Sequence, residues 1–214
     1  MTHLQVINQV LRRLRETEVT AVGESDYSTL VSDLVNDAKK FVEQSHDWTG
    51  LRQTITVATT ASDYQYVLPG SGVDFKLLNA INQTSDTLMH YRPATYFDRV
   101  YMTSSSEGVP IDFTYRGADS SQNTNIEIYP SPDGVYSLEF KAVVRTADYS
   151  DGTEVFVVPT QPIIYMALAL SARERGEQGG TSAAELLALA DTYLADAIAL
   201  DASKYVDEFV WKTV

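Results

Sequence analysis

The chain changes its hydrophobic period twice. Apolar residues recur at spacings of three and four up to about residue 50, fall into short β-prone runs from there to Pro159, and return to helical spacing from Thr160 onward. A helix buries a stripe and a strand buries alternate residues, so one backbone cannot serve both patterns. The order helix, strand, helix therefore fixes the class as α+β before any single element is placed.

The first block reads as two helices. In THLQVINQVLRRLRET, Leu4, Ile7, Leu11 and Leu14 form a stripe behind an N-cap at Thr2, and Arg12, Arg13 and Arg15 sit where cations suit a helix C-terminus. A second helix starts near Ser25 or Asp26. Its stripe is Tyr27, Val31, Leu34, Ala38 and Phe41, with Trp48 two turns further along the same face.

The middle block holds QTITVATT, DYQYVLP, FKLLNAIN, DTLMHYRP, PIDFTYRG, NIEIYP, VYSLEFKAVVR and EVFVVP. These are short runs rich in Thr, Val, Ile and Tyr, separated by turn residues, as in an antiparallel sandwich or barrel. SPDG at 131–134 reads as a hairpin turn. PATYFDRVYMTS at 93–104 breaks the pattern: Tyr96, Phe97, Val100 and Tyr101 fall on one face of a short helix.

The last block opens with Thr160 as a cap and Pro162 in a first turn. IIYMALALSA is apolar nearly all round, which predicts the central, most buried helix, ended by Gly176. Ser182 and Glu185 have capping-box spacing, and Leu187, Ala190, Leu194 and Ala197 form the next stripe, interrupted by Asp201. Two N-terminal helices alone cannot cover the apolar helix. The expected architecture is therefore a discontinuous four-helix bundle, 1–50 and 159–203. An antiparallel β-sandwich or barrel domain is inserted at 51–158, and a C-terminal arm occupies 204–214.

Composition excludes several functions. With no cysteine there are no disulfides or thiolate metal sites. The formal charge of −13 argues against gripping nucleic acid through its phosphates. No apolar run spans a bilayer and the opening residues lack a signal-peptide core, so synthesis in the cytoplasm and no membrane partner are expected. His3, His46 and His90 are isolated, without the spacing of a helical metal pair, and Ser45, His46 and Asp47 point apart on a helix. No glycine-rich phosphate loop follows a strand. We expect no catalytic, metal or cofactor residue and no enzyme. Tyr64, Tyr66, Tyr115, Tyr129 and Tyr136 read as strand formers with wet hydroxyls, against the alternative of a sugar-stacking row.

The order of segments resembles a known family. IYPSPDGVYSLEFKAVVRTADYSDGTEVFVVPTQPIIYMALALSARERGEQGG, followed by ALADTYLADAIALDASKY and an aromatic end, is similar to the head-to-tail adaptor proteins of short-tailed phages, the tail tubular protein A type. VINQVLRRLRETEV and the DW at 47–48 agree with it. The resemblance implies a structural virion protein made in the host cytoplasm and residing in the neck. It implies a ring of twelve that joins the portal protein to the tail nozzle protein, with DNA passing through unbound. The helical bundle would form the ring and the β domain would project outward or toward the tail. An acidic wall suits this, because it repels phosphates instead of holding them. Another neck or stopper component, or a carbohydrate-binding β-sandwich module, remains as the alternative reading.

The segment 204–214, KYVDEFVWKTV, reads as an apolar arm kept soluble by Asp207, Glu208 and Lys212. Tyr205, Val206, Phe209, Val210, Trp211 and Val214 are its expected partner contacts, on the portal or on another subunit, with Phe209 and Trp211 as anchors.

Overall fold

Small polar residues fix the starts of the first two helices. In the computed structural model, which describes all residues except 73, 104–105, 177–182 and 205–214, α1 (His3–Arg13) begins at Thr2. The Thr2 side chain accepts from the Gln5 amide while the Gln5 side chain accepts from that of Thr2. Helix α2 (Asp26–Ser45) begins at Ser25, with Ser28 as the reciprocal partner. Helix α4 (Thr160–Glu174) differs: Pro159 holds the N-cap position, Thr160 is already helical, and no side chain bonds the first turn. Its other end is as expected, with Gly176 at φ +65° and its N–H donating to the Arg173 carbonyl. Helix α5 spans Ala183–Ala202; the Ser182 cap lies outside the described residues.

The chain divides into two compact units, Met1–Gly50 with the chain from Thr146 onward, and Leu51–Arg145. In the first, α4 packs against α1, α2 and α5 and buries eight of its fifteen residues. The buried stripes of the two opening helices are rotated from the expected ones. Helix α1 buries His3, Val6, Ile7, Val10 and Leu11, leaving Leu4 and Leu14 half-exposed. Helix α2 buries Val31, Val35, Ala38 and Val42, whereas Phe41 is 46% exposed. The helix ends at Ser45, so Trp48 is not on its stripe; the indole folds back and donates to the Val42 carbonyl at 2.7 Å.

The second unit contains α3 (Ala94–Thr103), the expected short helix, whose Phe97 is fully buried. Its strands are β1 (Arg52–Ala58), β2 (Gln65–Val67), β3 (Phe75–Asn82), β4 (Thr87–Leu88), β5 (His90–Tyr91), β6 (Glu107–Gly108), β7 (Asp112–Ala118), β8 (Thr124–Tyr129), β9 (Ser131–Pro132) and β10 (Ser137–Val144). One four-stranded sheet runs β1-β10-β3-β4 and another β2-β8-β7-β5, with a parallel β6-β9 pair beside them. Pairing is antiparallel except where β5 meets β7 and β6 meets β9. Ile55, Leu138, Phe140 and Ala142 of the first sheet share one apolar core with Phe113, Ile126 and Ile128 of the second.

Two strand expectations are corrected. SPDG at 131–134 makes no hairpin, because β8 and β10 belong to different sheets. The segment is held elsewhere: the Ser131 amide donates to the Ser106 carbonyl, and Thr59 bonds both Gly134 and Tyr136. EVFVVP forms no strand; Val155 alone bridges to Thr2, and the segment runs with the helices. DTLMHYRP is divided between the sheets at Met89, whose amide donates to Ala80 while that of His90 donates to Ile111.

Candidate functional site

His3 and His46 are engaged within the fold. His3 is buried, its ring edge-on to Tyr149 and Phe156, with Nε2 3.4 Å from Ser32 Oγ. His46 lies 3.3 Å from Asp201, and Ser45 donates to the Val42 carbonyl, so the SHD run gathers no triad. His90 is exposed on β5. Among the described residues no three His, Asp or Glu groups converge as metal ligands, and no helix is long and apolar enough to cross a membrane. The Tyr66 and Tyr136 hydroxyls donate within their own loops, to the Thr60 carbonyl and to Asp133, and that of Tyr129 accepts from the Ser106 hydroxyl. Tyr64 packs on Tyr101, and Tyr115 packs among Phe75, Tyr91 and Phe113, where burial pushes its hydroxyl pKa up to about 12. Beside it an open groove of about 620 Å3 is lined by Phe75, Leu77, Tyr115 and Gly117.

A second stripe on α2 escaped the sequence reading. Ser32, Asn36, Lys39 and Glu43, spaced four, three and four apart, are all buried. They fasten the segment after β10. Asn36 exchanges two 2.9 Å hydrogen bonds with the Tyr149 backbone. Lys39 Nζ donates to Thr146 Oγ1 at 3.0 Å and to the Ala147 carbonyl, and stands 4.0 Å above the Tyr149 ring. Glu43 accepts from the Thr146 amide and hydroxyl. Burial lowers the Lys39 pKa, and the nearby Glu43 carboxylate opposes that shift. The available signal was the spacing itself, four hydrogen-bonding residues on one helical face.

Asp201 was expected to interrupt the α5 stripe; instead it extends it. It lies four residues beyond Ala197, is buried, and accepts from the Thr49 amide and hydroxyl and from Lys204. Burial raises its pKa, but those bonds more than offset this and leave it below the ordinary value. Across the helices, Arg13 lies over Tyr165 at 4.6 Å and Tyr165 stacks on Tyr193 at 5.0 Å. Helix α5 buries only Ala190, Leu194 and Asp201, and Leu200 is 70% exposed.

The first sheet presents the clearest charged face. Ile55, Phe140 and Ala142 point into the core, so Arg52, Thr54 and Lys141 point outward. Register places Arg52 and Lys76 on either side of the buried Val143, and Thr54, Lys141 and Asn79 in the next row. Arg52, Gln53, Thr54, Leu78, Asn79 and Lys141 line a depression of about 270 Å3 on this face. Residues 51–145 carry seven Lys and Arg against ten Asp and Glu, so ten of the thirteen net negative charges belong to the other unit.

The expected partner contacts Tyr205, Val206, Phe209, Val210, Trp211 and Val214 lie outside the described residues. Comparison with known proteins gives one family: the sequence model described as SU10 adaptor protein matches residues 1–208. No curated protein matches the chain.

Proposed function

Because the chain belongs to the SU10 adaptor protein family, the adaptors between phage head and tail, we propose that it is the subunit of a ring of twelve copies joining the portal protein to the tail nozzle. The observation that carries this reading is the span of the family match, which takes in both compact units. In this reading 1–50 and 159–203 form a discontinuous four-helix bundle that builds the ring, and 51–158 is an inserted β-sandwich domain. The arm 204–214 contacts the portal or another subunit through Phe209 and Trp211. The role is structural, not catalytic.

Two physical features support it. The sparsely buried α5, with Leu189 and Leu200 exposed, leaves apolar surface of the kind a ring subunit covers with its neighbours. The concentration of negative charge on the helical unit suits a wall past which DNA slides. Engagement of the β-unit tyrosines within the fold favours this role over a sugar-binding module.

The test is electron microscopy of the purified chain with and without portal protein. A ring with a central hole that co-purifies with portal is the expected result. A chain that stays monomeric and leaves portal unbound at micromolar concentration refutes the proposal. A basic channel wall in the ring would sink the sliding argument alone.

A further inference from the structure

Two helices of the first unit carry apolar stripes on faces that the unit leaves open. On α2, Leu30, Leu34 and Phe41 share a face with Asp37, nearly opposite the buried line of Ser28, Val35 and Lys39. Leu30 and Leu34 are half-exposed, and Asp37 and Phe41 are exposed. On α5, Leu189, Tyr193, Asp196 and Leu200 form the second stripe, half-exposed at Tyr193 and exposed at the other three. We propose that α2 of one copy packs antiparallel on α5 of the next, stripe against stripe. This rests on the reading of the chain as a ring subunit and names the two faces that join its neighbours.

Three observations carry it. The first is fit. Both stripes are spaced four, three and four residues apart, with an acidic residue in third place. Each therefore runs about 17 Å along its helix. The exposed Ala188 and Ala199 border the α5 stripe. Such small side chains let a second helix approach to about 8–10 Å between axes.

The second is charge, which fixes the direction. Parallel packing in register would set Asp37 against Asp196. Antiparallel packing sets Leu30 on Leu200, Leu34 on Asp196, Asp37 on Tyr193 and Phe41 on Leu189, and moves the two carboxylates a turn apart. Tyr193 belongs to a stack: its ring lies on Tyr165 at 5.0 Å, and the Arg13 guanidinium stands 4.6 Å over Tyr165. Among the described residues neither the Asp37 carboxylate nor the Arg13 guanidinium makes a hydrogen bond or an ion pair. A neighbour's Asp37 seated on Tyr193 therefore approaches a cation that has no carboxylate of its own.

The third is placement. Helix α4 packs against both α2 and α5, and no comparable contact joins those two. The stripes of one chain thus do not cover each other, whereas those of successive copies can. Each copy gives one face and receives on the other, a heterologous contact of the kind that closes into a ring.

The absence of cysteine makes the test clean. Full-length Leu34→Cys and full-length Asp196→Cys chains, distinguished by tag size, are mixed at ring-forming concentration and oxidised. The expected product is a disulfide-linked pair of one chain of each kind. Using Leu189→Cys in place of Asp196→Cys moves the thiol about 10 Å along α5, beyond disulfide reach, and should lower the yield about tenfold. Asp37→Arg on the Leu34→Cys chain should lower it about fivefold, and Arg13→Glu on the other chain should restore it. Phe41→Ser, at a position exposed in the single chain, should abolish it. No mixed pair, a pair formed equally well through Leu189→Cys, or a yield unchanged by Asp37→Arg and Phe41→Ser overturns the proposal.

Portal binding scored on the wild-type chain separates the two readings. Portal bound without the mixed pair sinks the helix contact and keeps the adaptor. A mixed pair without portal binding keeps the helix contact and sinks the adaptor.

Discussion

Lys39→Met tests whether hydrogen bonding, and not apolar packing, fastens the segment after β10 to α2. The Lys39 side chain is fully buried, and its ammonium reaches Thr146 Oγ1 at 3.0 Å, the Thr146 carbonyl at 3.4 Å and the Ala147 carbonyl. Methionine fills the space of the stem but leaves two carbonyls without a donor and the buried Glu43 carboxylate without a neighbouring cation. Removing one partner of a buried charge pair costs about 3–5 kcal/mol. Relief of the ammonium's own desolvation returns part of that, so the expected net loss is about 2–4 kcal/mol.

With Trp211→Phe in the background, Trp48 becomes the sole tryptophan and reports on the helical unit. At an m-value of about 2–3 kcal/mol per molar, the urea midpoint should fall by roughly 1 M. Amide exchange at Thr146 and Tyr149 should accelerate, because both N–H groups donate to this seam. Lys39→Met with Glu43→Gln removes both charges and should regain about 1–2 kcal/mol relative to the single variant. A single variant within 1 kcal/mol of wild type, or a double variant no better than the single, would refute the reasoning.

Burial holds the His3 imidazole below its ordinary pKa of 6.5, with a bond to the Asp151 backbone and the Glu154 carboxylate pulling the other way and Lys39 adding to the depression. Between the folded and unfolded values the unfolded chain binds more protons. Stability of the helical unit should therefore fall as pH drops through 6.5. Urea midpoints from about pH 8 to 5 should show this slope in the wild type and a flatter one in His3→Gln. Gly50→Ala would place a Cβ 2.5 Å from the Val157 carbonyl oxygen. A backbone atom cannot swing away, so a loss of about 1–3 kcal/mol is expected by thermal melting. Phe113→Ala empties the centre of the β core, where the ring is 2% exposed and 5.5 Å from that of Phe140. Calorimetry should show about 3–5 kcal/mol lost, and a change below 1 kcal/mol would mean that the two sheets do not share that core.

Periodicity made the class legible, along with the cap at Thr2, the start of α2 near Ser25, the short helix within 93–104 and the apolar helix that α1, α2 and α5 cover. These are local properties: a cap needs three residues and a stripe needs two turns. The misses are long-range. SPDG has sound hairpin chemistry, but Thr59 and Ser106, tens of residues away in sequence, claim the segment for other pairings. EVFVVP alternates like a strand, yet its backbone hydrogen bonds join Met1 and His3, on either side of the Thr2–Val155 bridge. Spacing puts Phe41 and Trp48 on the α2 stripe; packing instead chose Val35 and Val42, and Trp48 is buried beyond the end of the helix. The seam from Ser32 to Glu43 stayed hidden because polar residues at helical spacing read as a solvated face until the partner segment is known. The basic sheet face was equally unreadable. Arg52, Lys76 and Lys141 are far apart in sequence and become neighbours through the register of three strands.

The division of the first unit into two pieces has a consequence in time. Its halves are separated by the 95 residues of Leu51–Arg145, which a ribosome adds in about 5–20 s at 5–20 residues per second. During that interval α1 and α2 have emerged, but α4, the helix that packs against both, has not been made. The β unit is contiguous and can complete its core first. The nascent chain therefore carries two uncovered apolar helices past a finished domain, and the order of synthesis sets a period of exposure that the finished protein does not show.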